Sequence, residues 1–332
     1  MGTSADRLPG VFVEPVRLER RLARLTRIES QAERASACFG RLRTPRNLRI
    51  RTEFAMRSDP AQPAGESTDR LLPPRAERPP ATRLVSPRGI ALRFYLTALF
   101  VAQSRPPGTI PRNTLPLADP DAEVSWIDLL AMTAEPRRYS TVRQLKLRQV
   151  HDALRRLSSP EVQLARLPNL QRGRIGKYEG FQVLHEAGAP IGGGDNKEPY
   201  MVPSESKTMY LPHGLFRNGW VHVLEDSELA FVLMLACLRS RSGKTTVFAT
   251  SEVRLLQFGL GRDAYESHRL LASFGIVEVH PGPHPGRRLG KAGRYLISDP
   301  PKLHRFELLN DGFDRPAIPA ARLALSHLRE RA

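Results

Sequence analysis

Two stretches of the chain place charged and polar side chains at the spacing of one helical face. Stepping about 100° per residue from Leu271, Ala264, Ser267 and Phe274 fall on its side, and Arg262, Tyr265, Glu266 and Arg269 fall on the other. The same projection about Val150 turns Leu147, Leu154 and Leu157 inward and Gln144, Arg148, His151, Asp152 and Arg155 outward. The chemistry these types offer is hydrogen bonding to base edges and phosphates. Arginine pairs bidentately with guanine or phosphate, glutamate accepts from cytosine, and tyrosine meets phosphate or a thymine methyl. An ordinary solvated helix face is the bland alternative at either place, but a basic turn follows each. Arg172, Arg174 and Lys177 follow the first; Arg287, Arg288 and Lys291, with Arg294 just beyond, follow the second. Such turns meet DNA backbone or minor groove.

Other chemistry finds no support. Gly243-Lys244-Thr245 looks like the end of a phosphate-binding loop, but Leu238 stands where that loop needs its first glycine. His280 and His284 are separated by prolines that preclude a metal-aligning helix, and no set of carboxylate or cysteine ligands is read to complete a site. His222 stands alone between Val221 and Val223, as a packed histidine would, and Gly192 to Gly194 lack a strand-to-helix setting. No catalytic residue, metal ligand or cofactor is therefore expected, and the chain reads as a non-enzyme.

Composition favours a polyanionic partner. The 332 residues carry a formal net charge of +17, and all but seven of the 51 basic residues are arginine, whose fork suits phosphate and guanine. GC-rich coding accounts for part of that bias. Cys38 and Cys237 show neither metal-ligand spacing nor a disulfide framework, the longest apolar run (Leu229 to Leu238) is about half a membrane span, and no signal-peptide core opens the chain. A cytoplasmic, nucleoid-associated protein without membrane contact is expected.

The elements that must position these faces follow from periodicity. Residues 1–83 read as a basic, largely disordered extension with one amphipathic helix over about 15–38, where Leu18, Leu22, Leu25 and Ile28 recur among Arg17, Arg20, Arg21, Arg24 and Arg27. The helix reads chiefly as a solvated, poorly packed extension, with a role along DNA or an acidic partner as the alternative. Six prolines between Ser58 and Pro80 mark a disordered linker, and composition alone also admits a translation start at Met56. An apolar helix follows Gly89; a short helix over 126–132 capped by Ser125, a longer one over 141–157 capped by Ser140, and a hairpin of 162–167 with 181–185 come next. After a linker at 187–209 the order repeats. Asp226 or Ser227 caps an apolar helix reaching Leu238, 247–249 forms a short strand, and helices follow over 251–258 and 262–274, the second closed by Gly275. Strands 276–279 and 295–297 then flank the loop 281–293. The fold class expected is α+β and mainly helical, with two winged helix-turn-helix domains in tandem at 84–186 and 210–300, and a C-terminal tail or helix over 301–332.

The stretch Tyr210-Leu-Pro-His-Gly-Leu-Phe-Arg-Asn-Gly-Trp220, the apolar helix, and Phe258-Gly-Leu-Gly-Arg-Asp-Ala-Tyr265 followed by Leu271 and Phe274-Gly-Ile276 resemble bacterial tandem winged-helix DNA-binding proteins, in particular plasmid replication initiators. The resemblance covers roughly residues 88 to 300 and is clearest from 210 to 298. It implies binding of double-stranded origin DNA, opening of a nearby AT-rich region and recruitment of host replication proteins. The long basic extension and the loop from Pro106 to Pro120 depart from a simple regulator. The alternatives are a winged-helix transcription regulator, with the apolar helix 229–238 in a homodimer interface, and, more remotely, an arginine-rich scaffold or RNA-associated protein.

Overall fold

The computed structural model describes residues 14–42, 45–59, 72–87, 89–105, 113–135, 138–171, 176–190, 193–204, 206–280 and 304–331. These form an α+β structure, about half helical, with small sheets. In chain order the elements are α1 (Pro15–Arg41), β1 (Asn47–Arg51), α2 (Pro80–Leu84), α3 (Ala91–Gln103), α4 (Val142–Leu157), β2 (Ala165–Arg166), β3 (Gln182–Val183) and β4 (Thr208–Pro212). There follow α5 (Gly214–Arg217), α6 (Trp220–Val223), α7 (Asp226–Ser242), β5 (Thr246–Val247), α8 (Arg262–Ser273), β6 (Val277–His280), β7 (Arg305–Leu308) and α9 (Ala317–Glu330).

The amino-terminal segment departs most from expectation. The helix forms where its periodicity places it, but it is packed: Leu18, Leu25, Ile28, Ala32, Ala35 and Phe39 are buried. Phe39 meets Phe100 of α3 and Phe216 of α5, with ring centroids 5.3 and 5.8 Å away. The next segment, β1, pairs antiparallel with β4 from Asn47↔Pro212 to Arg51↔Thr208. Helix α1 and strand β1 are thus part of the folded body rather than a solvated extension. The physical reason is that every third or fourth apolar residue of α1 finds a partner more than 50 residues away in the chain, which a local pattern cannot reveal. Part of the proline-rich stretch folds as well. Pro80 opens α2, and the Arg83 guanidinium donates to the carbonyls of Glu161 (2.9 Å) and Ala189 (3.0 Å).

One hydrophobic core runs across the boundaries expected at 83/84 and 186/187. Within the 187–209 stretch expected to link two units, residues 198–200 lie against β3 of the β2–β3 pair: the Tyr200 N–H donates to the Val183 carbonyl and the His185 N–H to the Glu198 carbonyl, at 3.0 and 2.9 Å. Tyr200 itself is buried, its hydroxyl accepting from the Gln103 amide at 2.7 Å.

Local signals explain most helix ends. Thr141, not Ser140, caps α4 in a reciprocal box with Gln144. Glu225 rather than Asp226 or Ser227 opens α7, boxed with Glu228, and Gly243 closes it at φ 66°. Trp126 to Leu130 form turns instead of a helix, with the Asp128 carboxylate accepting from the Ser125 N–H at 3.0 Å. The apolar helix α7 is covered on all sides within the chain: residues 229 to 237 are all buried. It leaves no apolar face for the dimer interface considered above. Among the described residues no helix is long and apolar enough to cross a membrane.

Candidate nucleic-acid interface

From Asp226 onward the described elements run helix (α7), short strand (β5), helical turn (Ser251–Gln257), helix (α8), strand (β6) and strand (β7). The three strands lie in the order β5-β7-β6. The described partner of β6 is β7, in register from Val277↔Leu308 to His280↔Arg305; the sequence placed 295–297 there. Those residues and the loop positions Arg287, Arg288, Lys291 and Arg294 lie outside the described residues, as do Arg172 and Arg174.

In α8, Ala264, Ser267, Leu270 and Leu271 are buried, and Phe274 is buried just beyond it; Arg262 and Asp263 are exposed, and Glu266 and Arg269 are partly so. Arg269 Nε lies 2.8 Å from Glu266 Oε2, one turn apart, so these two side chains are paired with each other. Arg262 makes no ion pair among the described residues. Tyr265 corrects the helical projection. Its ring packs edge-on against Phe231 of α7 and Phe306 of β7, with centroids 6.2 and 5.8 Å away, and the Arg254 guanidinium lies 5.0 Å above it. Strand β7, placed by a residue pairing remote in sequence, covers that flank of α8. His268, unnoticed in the sequence, is buried there too, its ring 5.4 Å from Phe306.

The other helix keeps its outward face. Gln144, Arg148, Asp152 and Arg155 are exposed, while Val150, Ala153, Leu154 and Leu157 are buried. Gln144 is engaged at the amino end, where its side chain accepts from the Thr141 N–H at 2.9 Å. Arg155 pairs with Asp152 at 2.9 Å and donates to the Tyr178 hydroxyl at 3.3 Å. His151 stacks on the Tyr178 ring at 4.3 Å, and Lys177 Nζ stands 5.8 Å over the same ring. Only Arg148 on this face is exposed without an ion pair among the described residues.

Between the two helices lies a feature that sequence reasoning missed. A cleft of about 1060 Å³ is walled by α1, the 72–90 segment and the amino end of α8, with Gln149 of α4 on its rim. Arg17, Arg20, Arg75, Arg78 and Arg262 line it. The regular recurrence of arginine in α1 was the available signal; what it faces was not. Arg21 and Arg24, from the same run, serve the fold. Arg21 is buried, its guanidinium gripping the Glu228 carboxylate (3.0 Å for the Nη2 contact), and Arg24 donates to the carbonyls of Val223 (2.9 Å) and His222 (2.6 Å) at the end of α6.

His280 is nearer to carboxylates than the sequence suggested. Glu278 and Glu307, cross-strand partners in β6 and β7, each lie 3.9 Å from it. One ligand atom from each of the three residues lies within 4.8 Å of the others, a spacing that could hold a metal ion, which the chain order around His280 did not suggest.

Against known protein families, curated proteins and solved structures, the chain finds no match.

Proposed function

We propose that this protein is a sequence-specific double-stranded-DNA-binding protein built on two winged helix-turn-helix units, and that its role is replication initiation on a plasmid or mobile element. One observation carries the DNA-binding reading: the order α7, β5, helical turn, α8, β6, β7 with strands ordered β5-β7-β6. That order is the one in which a winged unit holds its second helix outward on a sheet-backed core. Here that helix is α8, presenting Arg262, Glu266 and Arg269. The earlier run of α3, the 126–130 turns, α4 and the β2–β3 pair is a looser copy, in which α4 presents Arg148, Asp152 and Arg155. A major groove admits one such helix, and the adjoining loops reach backbone or minor groove. The initiator role rests on the resemblance of 210–298 to plasmid initiators. Partners under this reading are the DNA itself and host replication proteins, with no cofactor and no catalysis.

The test is a salt-titrated binding isotherm on the duplex flanking the protein's own gene, against a scrambled duplex of equal length. Preference for the flanking duplex near physiological salt is the expected outcome, typically by a factor of about 10³ or more. Equal and steeply salt-dependent binding to both would reduce the reading to general polyanion attraction.

A further inference from the structure

We infer that the arginine-lined cleft holds a stretch of the DNA sugar–phosphate backbone, running between the segments met by α4 and α8; this rests on the DNA-binding reading above. The cleft has eight arginines against four carboxylates on its walls; Arg17 and Arg21 pair with Glu225 and Glu228, Arg24 is tied to backbone carbonyls, and Arg93 lies 4.0 Å from Asp226, which leaves Arg20, Arg75, Arg78 and Arg262 without an ion pair among the described residues. Its floor includes Arg93, whose side chain is 8% exposed and whose Nε has no hydrogen-bond partner among the described residues. The basic groups are crowded. Burial, with Arg93 and Arg21 nearby, pushes Arg24 down to about 9, and burial beside Arg75 lowers Arg78. A group whose charge is disfavoured by its neighbours is relieved when an anion enters. Helix α8 opens into the cleft through Gly261, Arg262 and Asp263, and its Gly261 cap offers no side chain to the free N–H groups of the first turn, an arrangement that attracts phosphate.

Size and lining select the ligand. The cleft is at the upper end of the roughly 300–1,000 Å³ range for whole small-molecule pockets, so a single phosphate would leave it largely empty. Among the described residues no aromatic side chain lines it, which removes the stacking platform that a nucleobase or a single strand needs. A neighbouring cavity of about 430 Å³, lined by Arg148, Gln149, Asp152 and the ion pair Arg27–Glu135 (2.7 Å), continues the path along the outward face of α4. Gln149 is common to both. The path therefore joins the two candidate reading helices through the exposed side of α1, as one continuous backbone would require.

Arg20 is the discriminating residue, because it lines the cleft, is exposed, and makes no ion pair or hydrogen bond among the described residues. Its replacement should leave folding intact. The experiment is hydroxyl-radical footprinting with salt-titrated affinity for full-length wild type, Arg20→Gln, Arg20→Glu and, as a control away from the cleft, the exposed Arg34→Gln. Losing one phosphate contact reduces the slope of log affinity against log salt by about 0.9. The expected result is that reduction for Arg20→Gln, a larger loss of affinity for Arg20→Glu, and disappearance of sugar protection between the two groove contacts, which themselves persist. Arg34→Gln should match wild type. Wild-type slope and footprint in both Arg20 variants would overturn the inference while leaving DNA binding standing; no duplex binding by wild type would overturn both.

Discussion

Arg20 and Arg21 are neighbours in the chain, yet one is exposed at the cleft and the other is buried against Glu228. One step along a helix turns a side chain by about 100°, enough to separate a ligand-facing group from a structural one. A buried ion pair is weak evidence for stability, but removing one partner strands the other charge; Glu228 is completely buried, so Arg21 is a poor probe of function and Arg20 a good one. His222 shows the same dependence on surroundings. Burial, with Arg93 and Arg24 nearby, pushes it down to about 3, and its Nδ1 faces the Ala131 N–H at 3.4 Å. In the unfolded chain a histidine takes up a proton near pH 6.5, well before the folded one does. Its contribution to stability is therefore present above pH 6.5 and is lost as pH falls towards 3. Urea midpoints measured at pH 7 and pH 5 should drop more for wild type than for His222→Gln. Equal drops would show that His222 does not titrate on unfolding.

At the scale of elements, α1 is the piece whose role changed most between pattern and fold. Its last turn carries Phe39 into a seam with Phe100 and Phe216, the latter two stacked at 4.5 Å. This seam ties α1 to α3 and α5, so a chain starting at Met56 would lose both the seam and the strand that pairs with β4. Truncating a buried phenylalanine to alanine costs about 3–5 kcal/mol. Phe39→Ala should lose stability of that order in urea denaturation of the full chain. A change below about 0.5 kcal/mol, the range of surface substitutions, would mean that α1 is not docked in solution.

For the whole molecule, the continuity of the core decides how it unfolds. Two independent winged units on a linker would melt separately, whereas a shared core melts once. The two tryptophans report on either half. Trp126 is buried beside Phe94 and Phe181, and Trp220 beside Phe274 and Phe313, with Trp220 Nε1 donating to the Arg315 carbonyl at 2.9 Å. Trp126→Phe and Trp220→Phe variants, each with one fluorophore left, should give coincident urea midpoints once corrected for the stability change of each substitution. Midpoints that remain apart would establish two separately folding domains.

The extent of α1, α4, α7 and α8, the left-handed glycine after α8 and the outward face of α4 were all readable from the chain, because they depend on periodicity and on groups within one or two turns. The cap residues of α4 and α7 and the turns at 126–130 were missed locally; the larger misreadings involved contacts between distant residues. Tyr265 left the outward face because β7 covers it, and β7 was not identifiable as the partner of β6 until the pairing of residues 277–280 with 305–308 was seen. The extension became core because its apolar stripe meets α3, α5, α6 and α9, and the linker docked beside β3 through an isolated bridge because Val183 and His185 offered it backbone groups. The arginines of α1 were visible as a run. Which of them would be sealed under α6 and α7, and which would line a cleft with Arg262, was decided only when helices more than 200 residues apart were packed together, since burial and charge pairing depend on proximity in space and not on order in the chain.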